Sequence, residues 1–168
     1  MDYQSVAAYI ESRICFGGMY PTMGMIEYAN NSYVSSHLFE SCPALYPVMR
    51  DCALIGVLSN DLISYHKEKH SQQNLLNAYV KTGTTPTLEA AIQKGLDCVN
   101  AHYYSFVRNL ALLKRQLQTL PSSDQRILRT YSVGLERLIA ASYHWQMHTN
   151  RYRVPENIFE DLKVPLPA

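Results

Sequence analysis

Three polar residues, Asn60, Ser64 and Glu68, stand four residues apart in a stretch suited to a helix. At 3.6 residues per turn each step of four rotates the helix face by only about 40°, so the three side chains share one stripe. The preceding residues, 44 to 58, are almost wholly apolar except for Arg50 and Asp51. The spacing therefore predicts a helix that is buried on most sides and carries a polar stripe in need of partners.

The stripe offers oxygen atoms, which are the ligands that Mg²⁺ prefers in proteins. Because only Glu68 is charged, a bound Mg²⁺ would keep positive charge to share with an anionic substrate such as a diphosphate. The alternative is a solvated helix face, which is the commoner meaning of this spacing alone. The expected burial favours the metal site. Asp61 points away from the stripe, and we expect it to pair with a neighbouring base.

The string from Asn60 to Glu68, N-D-x-x-S-x-x-K-E, resembles the second metal-binding motif of class I terpene synthases, in the form of fungal and bacterial sesquiterpene cyclases. Upstream, Arg13 followed by Gly17 and Gly18 resembles the family's diphosphate-sensing arginine and the helix break after it. Downstream, Arg151-Tyr152 resembles the family's C-terminal arginine–tyrosine pair. The landmarks have the family's order and span most of the chain.

The resemblance implies an all-α fold, an antiparallel helical bundle, formed by residues 1–168 as one domain. It also implies a lyase that ionises and cyclises a prenyl diphosphate, most simply farnesyl diphosphate, with Mg²⁺ as cofactor. The metal ligands would be Asn60, Ser64 and Glu68. The residues implied to act on the substrate are Arg13, Lys67, Arg151 and Tyr152, which bind its diphosphate, Gly17, whose carbonyl assists ionisation, and Trp145, which faces the cavity.

A cyclase must hold a carbocation among aromatic and aliphatic side chains and exclude water. The candidates for this lining are Phe16, Tyr20, Leu54, Val57, Tyr65 and Trp145. For all of them except Trp145, simple core packing is the commoner role of such residues.

The family's aspartate-rich first metal motif is missing, since no two aspartates are adjacent or grouped in this sequence. The chain therefore resembles the C-terminal half of a terpene synthase. Such a half should expose an apolar face, which favours a homodimer or a complementary N-terminal half as partner. A second hypothesis is a non-catalytic helical protein that binds a lipid, a diphosphate or a partner chain.

Composition excludes several other classes. With 47% hydrophobic residues the 168-residue chain can build a core, and a net charge of +1 gives no field for nucleic acid. We expect no membrane span, no signal peptide and a cytoplasmic location. The four cysteines lack CxxC spacing and are expected to be buried thiols. Two His pairs at i, i+4, at 66/70 and 144/148, suit zinc by spacing but lack a third ligand.

Apolar periodicity and Gly or Pro interruptions predict helices and no strands. Pro43 and Thr85-Pro86 are predicted to start helices, and Ser122 with Gln125 to form a capping box. The predicted helices cover residues 4 to 15, Pro21 or just before it to Ala29, Ser35 to Ser41, Pro43 to about His70, Pro86 to about Leu117, and about Asp124 to His148.

Overall fold

The computed structural model describes residues 3–164, and within that range it contains helices and turns but no strand. The all-α prediction is confirmed. The eight α-helices are α1 Val6–Phe16, α2 Met19–Asn30, α3 Ser36–Ser41, α4 Leu45–Ile63, α5 Tyr65–Glu68, α6 Leu75–Lys81, α7 Leu88–Gln116 and α8 Ser122–His148. Single 3₁₀ turns occupy Leu117–Thr119 and Glu160–Leu162.

Helix α4 is the centre of the fold. Nearly all of its side chains from position 51 to 63 are buried, and it packs against α7 along its length as well as against α1, α6 and α8. The apolar run that precedes Asn60 in the sequence therefore becomes a core helix. This arrangement places the polar C-terminal end of α4 where several other segments meet.

The interruption predicted after Arg13 is present. Helix α1 ends with Gly17 as its C-cap, and Gly18 takes a left-handed conformation with φ of 73° before α2 begins. A left-handed φ is readily accessible to glycine and strained for most other residues. The glycine pair thus turns the chain between α1 and α2.

The prediction of one helix from Pro43 to about His70 is wrong at both ends. Pro43 lies in a turn before α4, and α4 ends at Ile63. Ser64 has φ −85° and ψ −1°, and its backbone NH still donates to Asn60 O, as in an α-helix. The next hydrogen bond spans three residues instead of four, since Lys67 N donates to Ser64 O. That i+3 bond separates the single turn of α5 from α4.

Three smaller predictions also need correction. Helix α6 was not predicted, and α7 begins after Thr87, whose hydroxyl caps it, not after Thr85. Ser122 lies inside α8 without a capping bond, and the side chain of Gln125 donates to Leu120 O instead. Within residues 3–164 no helix is long and apolar enough to cross a membrane.

Candidate functional site at the end of helix α4

The carboxylate of Asp61 lies at the centre of the polar cluster and is fully buried. It accepts hydrogen bonds from Arg13 Nε at 2.8 Å, from Leu75 N at 3.1 Å and from the Tyr9 hydroxyl. Burial raises the pKa of Asp61 to about 6 against the opposing effect of Arg13, and a carboxyl with that pKa is still ionised at neutral pH. The prediction that Asp61 pairs with a base is confirmed, and the base is Arg13.

Arg13 is held at its Nε by Asp61, and its Nη2 lies 3.5 Å from Asn60 Oδ1. Burial, the largest single effect, lowers the pKa of Arg13, but the charge and hydrogen bond of Asp61 together with Tyr9 and Glu68 raise the pKa by more, so the guanidinium stays charged. Its side chain keeps 18% of its surface exposed. Arg13 is thus a fixed cation with one edge turned to Asp61, and its role toward a diphosphate stays a prediction.

The side chain of Asn60 links two distant parts of the chain. Its Nδ2 donates to the Tyr152 hydroxyl at 2.9 Å, while within residues 3–164 its Oδ1 has only the long contact with Arg13. Tyr152 is buried, and its ring meets that of Trp145 edge-on at 5.8 Å between centroids. The structure therefore brings together four residues that the sequence singled out: Arg13, Asn60, Trp145 and Tyr152.

Glu68 is reached by a residue that the sequence analysis did not identify. Asn74 Nδ2 donates to Glu68 Oε2 at 3.0 Å and to the backbone oxygen of Asp61 at 2.7 Å. Glu68 lies in the single turn of α5, whereas Asn74 caps α6. One buried amide therefore ties the carboxylate predicted to bind metal to the end of α4.

Ser64 supplies the third predicted ligand. Its Oγ is buried and has no hydrogen-bond partner, although a buried hydroxyl without a partner is costly. An oxygen-seeking cation would satisfy it, and the weakly engaged Oδ1 of Asn60 and the carboxylate of Glu68 have the same donor chemistry. The residues present therefore fit a hard divalent cation.

Other kinds of metal site receive no support from the described part of the chain. Among residues 3–164 no three His, Cys, Asp or Glu side chains form a group that could hold a metal ion. In the His144/His148 pair the rings stack with centroids 4.1 Å apart, and His148 Nδ1 faces the His144 carbonyl.

The remaining predicted diphosphate ligands are less fixed. Lys67 and Arg151 are both exposed, and the Arg151 guanidinium lies 5.7 Å from the centroid of the Tyr152 ring. A cation over an aromatic face is stabilised but not rigidly held. Arg151 is therefore next to the cluster, and Lys67 lies one residue from Glu68 on the surface.

Gly17 has a packing role in addition to the role implied by the resemblance. A Cβ on Gly17 would lie 2.0 Å from Val57 Cγ1. Helices α1 and α4 therefore approach each other too closely for a side chain at this position, and this approach also brings Arg13 to Asp61.

The six candidates for an apolar lining divide into three groups, one of which is the half-buried pair Tyr20 and Tyr65. Leu54 and Val57 are buried in the core, which agrees with the alternative that they only pack the interior. Phe16 and Trp145 expose 65% and 54% of their surface. A cavity of about 560 Å³ lies between α4, α7 and α8, and none of the six candidates lines it. Its lining includes Ile55, Val99 and Ile139, and Asn60, Ser64 and Glu68 are not among the lining residues.

Two functional side chains were missed, and each had a local signal. Tyr9 stands four residues before Arg13, so both lie on one stripe of α1. Asn74 precedes a Leu-Leu pair in the manner of an N-cap, and its Oδ1 does accept from Leu76 N at 3.0 Å. Neither signal points to its partner, because Asp61 and Glu68 come from other segments.

The thiols depart from the prediction at one position. Cys42 and Cys52 are buried and Cys98 is half-buried, but Cys15 is exposed on α1. All four are free thiols.

Comparison with known proteins identifies the family. Residues 2–103 match the model described as terpene synthase family 2, C-terminal metal binding. The chain is 28% identical over 155 residues to a (+)-T-muurolol synthase, (2E,6E)-farnesyl diphosphate cyclizing, of Streptomyces clavuligerus, with 90% of this chain and 35% of that protein covered.

Two fungal relatives give similar matches. Terpene cyclase braA of Annulohypoxylon truncatum is 28% identical over 146 residues, covering 80% of this chain and 36% of its own length. A (+)-eremophilene synthase of Gibberella fujikuroi is 27% identical over 152 residues, covering 86% of this chain and 39% of its own length. The chain spans well under half the length of these relatives.

The matched segment contains Arg13, which binds Asp61, as well as the glycine pair and the whole stripe from Asn60 to Glu68. The chain belongs to terpene synthase family 2 and carries that family's C-terminal metal-binding region.

Proposed function

We propose that this chain supplies the Mg²⁺- and diphosphate-binding part of a sesquiterpene cyclase that acts on farnesyl diphosphate. Asn60, Ser64 and Glu68 would hold one Mg²⁺. Arg13, Lys67, Arg151 and Tyr152 would bind the diphosphate. The observation that carries the proposal is the hydroxyl of Ser64, which stands between Asn60 and Glu68 in the motif. Its Oγ is buried and has no hydrogen-bond partner in the described chain, and a bound cation would explain this burial.

Ionisation breaks the C–O bond of the allylic diphosphate, and the departing pyrophosphate keeps the electron pair. Bound Mg²⁺ would supply positive charge to the pyrophosphate oxygens. Arg13, fixed through Asp61, would add a preorganised guanidinium, and preorganised charge stabilises the transition state without a reorganisation cost. Arg151 and Lys67, which are exposed, would close onto the diphosphate once it is bound.

The hydrocarbon cation then needs an aromatic surface and no water. Trp145 would take this role, which is supported by its edge-on ring contact with Tyr152 and by its exposed surface of more than half. The Gly17 carbonyl is proposed to assist at the turn between α1 and α2, as the resemblance implies.

We propose further that the working site is completed by a complementary N-terminal half. Phe16, Tyr28 and Trp145 are all largely exposed, and a covering partner chain would remove their apolar surface from water. The length of the relatives is consistent with such a segment. Size-exclusion chromatography would distinguish a monomer awaiting this segment from a homodimer, which would cover the same side chains.

The test is incubation of the purified chain with farnesyl diphosphate and Mg²⁺, followed by gas chromatography of an organic extract. A terpene that is absent with the Glu68→Ala variant would support the proposal for this chain alone. Mg²⁺-dependent binding of the diphosphate without product would support a partial site that needs its N-terminal half.

Loss of both product and binding would reject the proposal in favour of a non-catalytic helical protein. The Arg151→Ala variant tests the diphosphate ligands separately, because it should weaken diphosphate affinity with and without Mg²⁺. An unchanged affinity in that variant would remove the arginine–tyrosine pair from the site.

A further inference from the structure

We propose that Asn74 is a positioning residue that sets the carboxylate of Glu68 for metal binding and connects it to Arg13 through Asp61. The inference rests on the proposed function, since it assigns a role toward the same Mg²⁺ site. Asn74 lies outside the motif from Asn60 to Glu68, so its role is inferred from its contacts alone.

Glu68 needs an external restraint. It belongs to a single helical turn that follows the interruption at Ser64, and it is only half-buried. A glutamate side chain has several rotatable bonds, and fixing a long side chain of this kind costs conformational entropy. The bond of 3.0 Å from Asn74 Nδ2 to Glu68 Oε2 directs one carboxylate oxygen and leaves the other for a metal.

Asn74 is itself firmly held. It is completely buried, its Oδ1 accepts from Leu76 N at 3.0 Å, and its Nδ2 donates to Asp61 O at 2.7 Å as well as to Glu68. Rotation of the amide would break all of these bonds together. The side chain therefore acts as a rigid connection between α6, the end of α4 and the turn that carries Glu68.

The connection continues to the predicted diphosphate ligand. The backbone NH of Leu75, the residue after Asn74, donates to Asp61 Oδ2, and the other oxygen of that carboxylate holds Arg13 Nε. Asn74 and Leu75 thus bind Asp61 at both its carbonyl and its carboxylate. Displacement of Asn74 would disturb the metal ligand first and Arg13 only through Asp61.

The test uses the Asn74→Ser variant of the whole 168-residue chain. Serine can still cap α6 with its hydroxyl, but it lacks the amide donor that reaches Glu68. The measured quantity is the affinity for inorganic pyrophosphate by calorimetry, once with Mg²⁺ in excess and once with a chelator. The matched control is Asn109→Ser, which removes an amide bound to Asp51 and Ser105 away from the site.

We expect Asn74→Ser to weaken Mg²⁺-dependent pyrophosphate binding by roughly 10–100-fold, which is the usual effect of losing a group that orients a metal ligand. Binding without Mg²⁺ should change little, and the control should resemble the wild type in both conditions. Circular dichroism checks folding. If the serine variant does not fold, Asn74→Thr serves in its place, because its hydroxyl can also cap α6 while it lacks the amide donor.

Wild-type affinity in the folded variant, or an equal loss with and without Mg²⁺, would overturn the positioning role. The first result would mean that Glu68 needs no restraint from Asn74, and the second that Asn74 only stabilises the fold. If the wild-type chain shows no Mg²⁺-dependent binding at all, the proposed function fails, and the role of Asn74 fails with it.

Discussion

The Asn60 amide donates to the Tyr152 hydroxyl at 2.9 Å across a separation of 92 residues. This bond fixes which way the amide points, because the donor faces Tyr152 and the oxygen is left to Arg13 and to any bound cation. The stripe from Asn60 to Glu68 and the C-terminal Arg151-Tyr152 pair are therefore joined in one structural unit.

The Tyr152→Phe variant should separate this unit. Loss of the hydroxyl leaves the Asn60 donor without its acceptor, so the amide loses its orientation and Mg²⁺-dependent pyrophosphate affinity should fall by roughly tenfold or more. Calorimetry measures the change. Tyr79→Phe is the matched control, since this buried hydroxyl donates to Lys94 O and has no contact with the cluster. Equal affinities in the two variants would contradict the coupling.

Asp61 should matter for stability as much as for binding. Asp61→Ala leaves the largely covered Arg13 cation and the Leu75 NH without their acceptor, and breaking a buried ion pair typically costs about 3–5 kcal/mol. Urea unfolding gives the free energy. The comparison is Glu136→Ala, which breaks an exposed ion pair with Lys114 and should cost about 0–1 kcal/mol. Similar losses in both variants would mean that the Asp61 cluster is not an energetic centre.

Gly17→Ala tests the close approach of α1 and α4. The new methyl group would overlap Val57 Cγ1, and overpacking of this kind costs about 1–3 kcal/mol. Gly24→Ala, in an exposed part of α2 with open space around it, should instead stabilise by about 0.5–1 kcal/mol. Thermal unfolding compares them.

A double-mutant cycle assigns the cause of the Gly17 effect. In a Val57→Ala background the Gly17→Ala change should cost less, because the clashing methyl is gone. The same cost in both backgrounds would mean that the substitution acts on the turn between α1 and α2 and not on the helix contact.

The thiols should differ in reactivity in the folded chain. Burial raises the pKa of Cys52 to about 12, so its thiolate is scarce at pH 8, whereas Cys15 is exposed. Iodoacetamide followed by mass spectrometry should find modified Cys15 and intact Cys52, with both modified after denaturation. Rapid native labelling of Cys52 would contradict the packing of α4 against α8, where its sulfur faces Leu135 O.

Much of the fold could be predicted because its signals are local. The long helices α4, α7 and α8 repeat their apolar positions over several turns, and Gly17-Gly18 marks the end of α1. Helix α6 is seven residues long and gives too few repeats to be recognised. The interruption at Ser64 was missed because no Gly or Pro marks it. It consists of one backbone hydrogen bond, from Lys67 N to Ser64 O, that spans three residues instead of four.

For the site, too, the local features could be predicted and the contacts between helices could not. The four-residue spacing and the family resemblance select Asn60, Ser64 and Glu68, since both depend on residues close in sequence. The contacts of Asp61 with Tyr9 and Arg13, and of Glu68 with Asn74, join different helices. Tertiary packing decides such contacts, and no local pattern contains them.

Titration of the wild-type chain and of Glu68→Gln with inorganic pyrophosphate, each with excess Mg²⁺ and with a chelator, tests the central claim most directly. We predict saturable binding that Mg²⁺ strengthens in the wild type and that loses this Mg²⁺ dependence in the variant, because the amide removes the only charged ligand of the stripe. The same Mg²⁺-dependent affinity in both proteins would contradict the assignment of Asn60, Ser64 and Glu68 as the metal site.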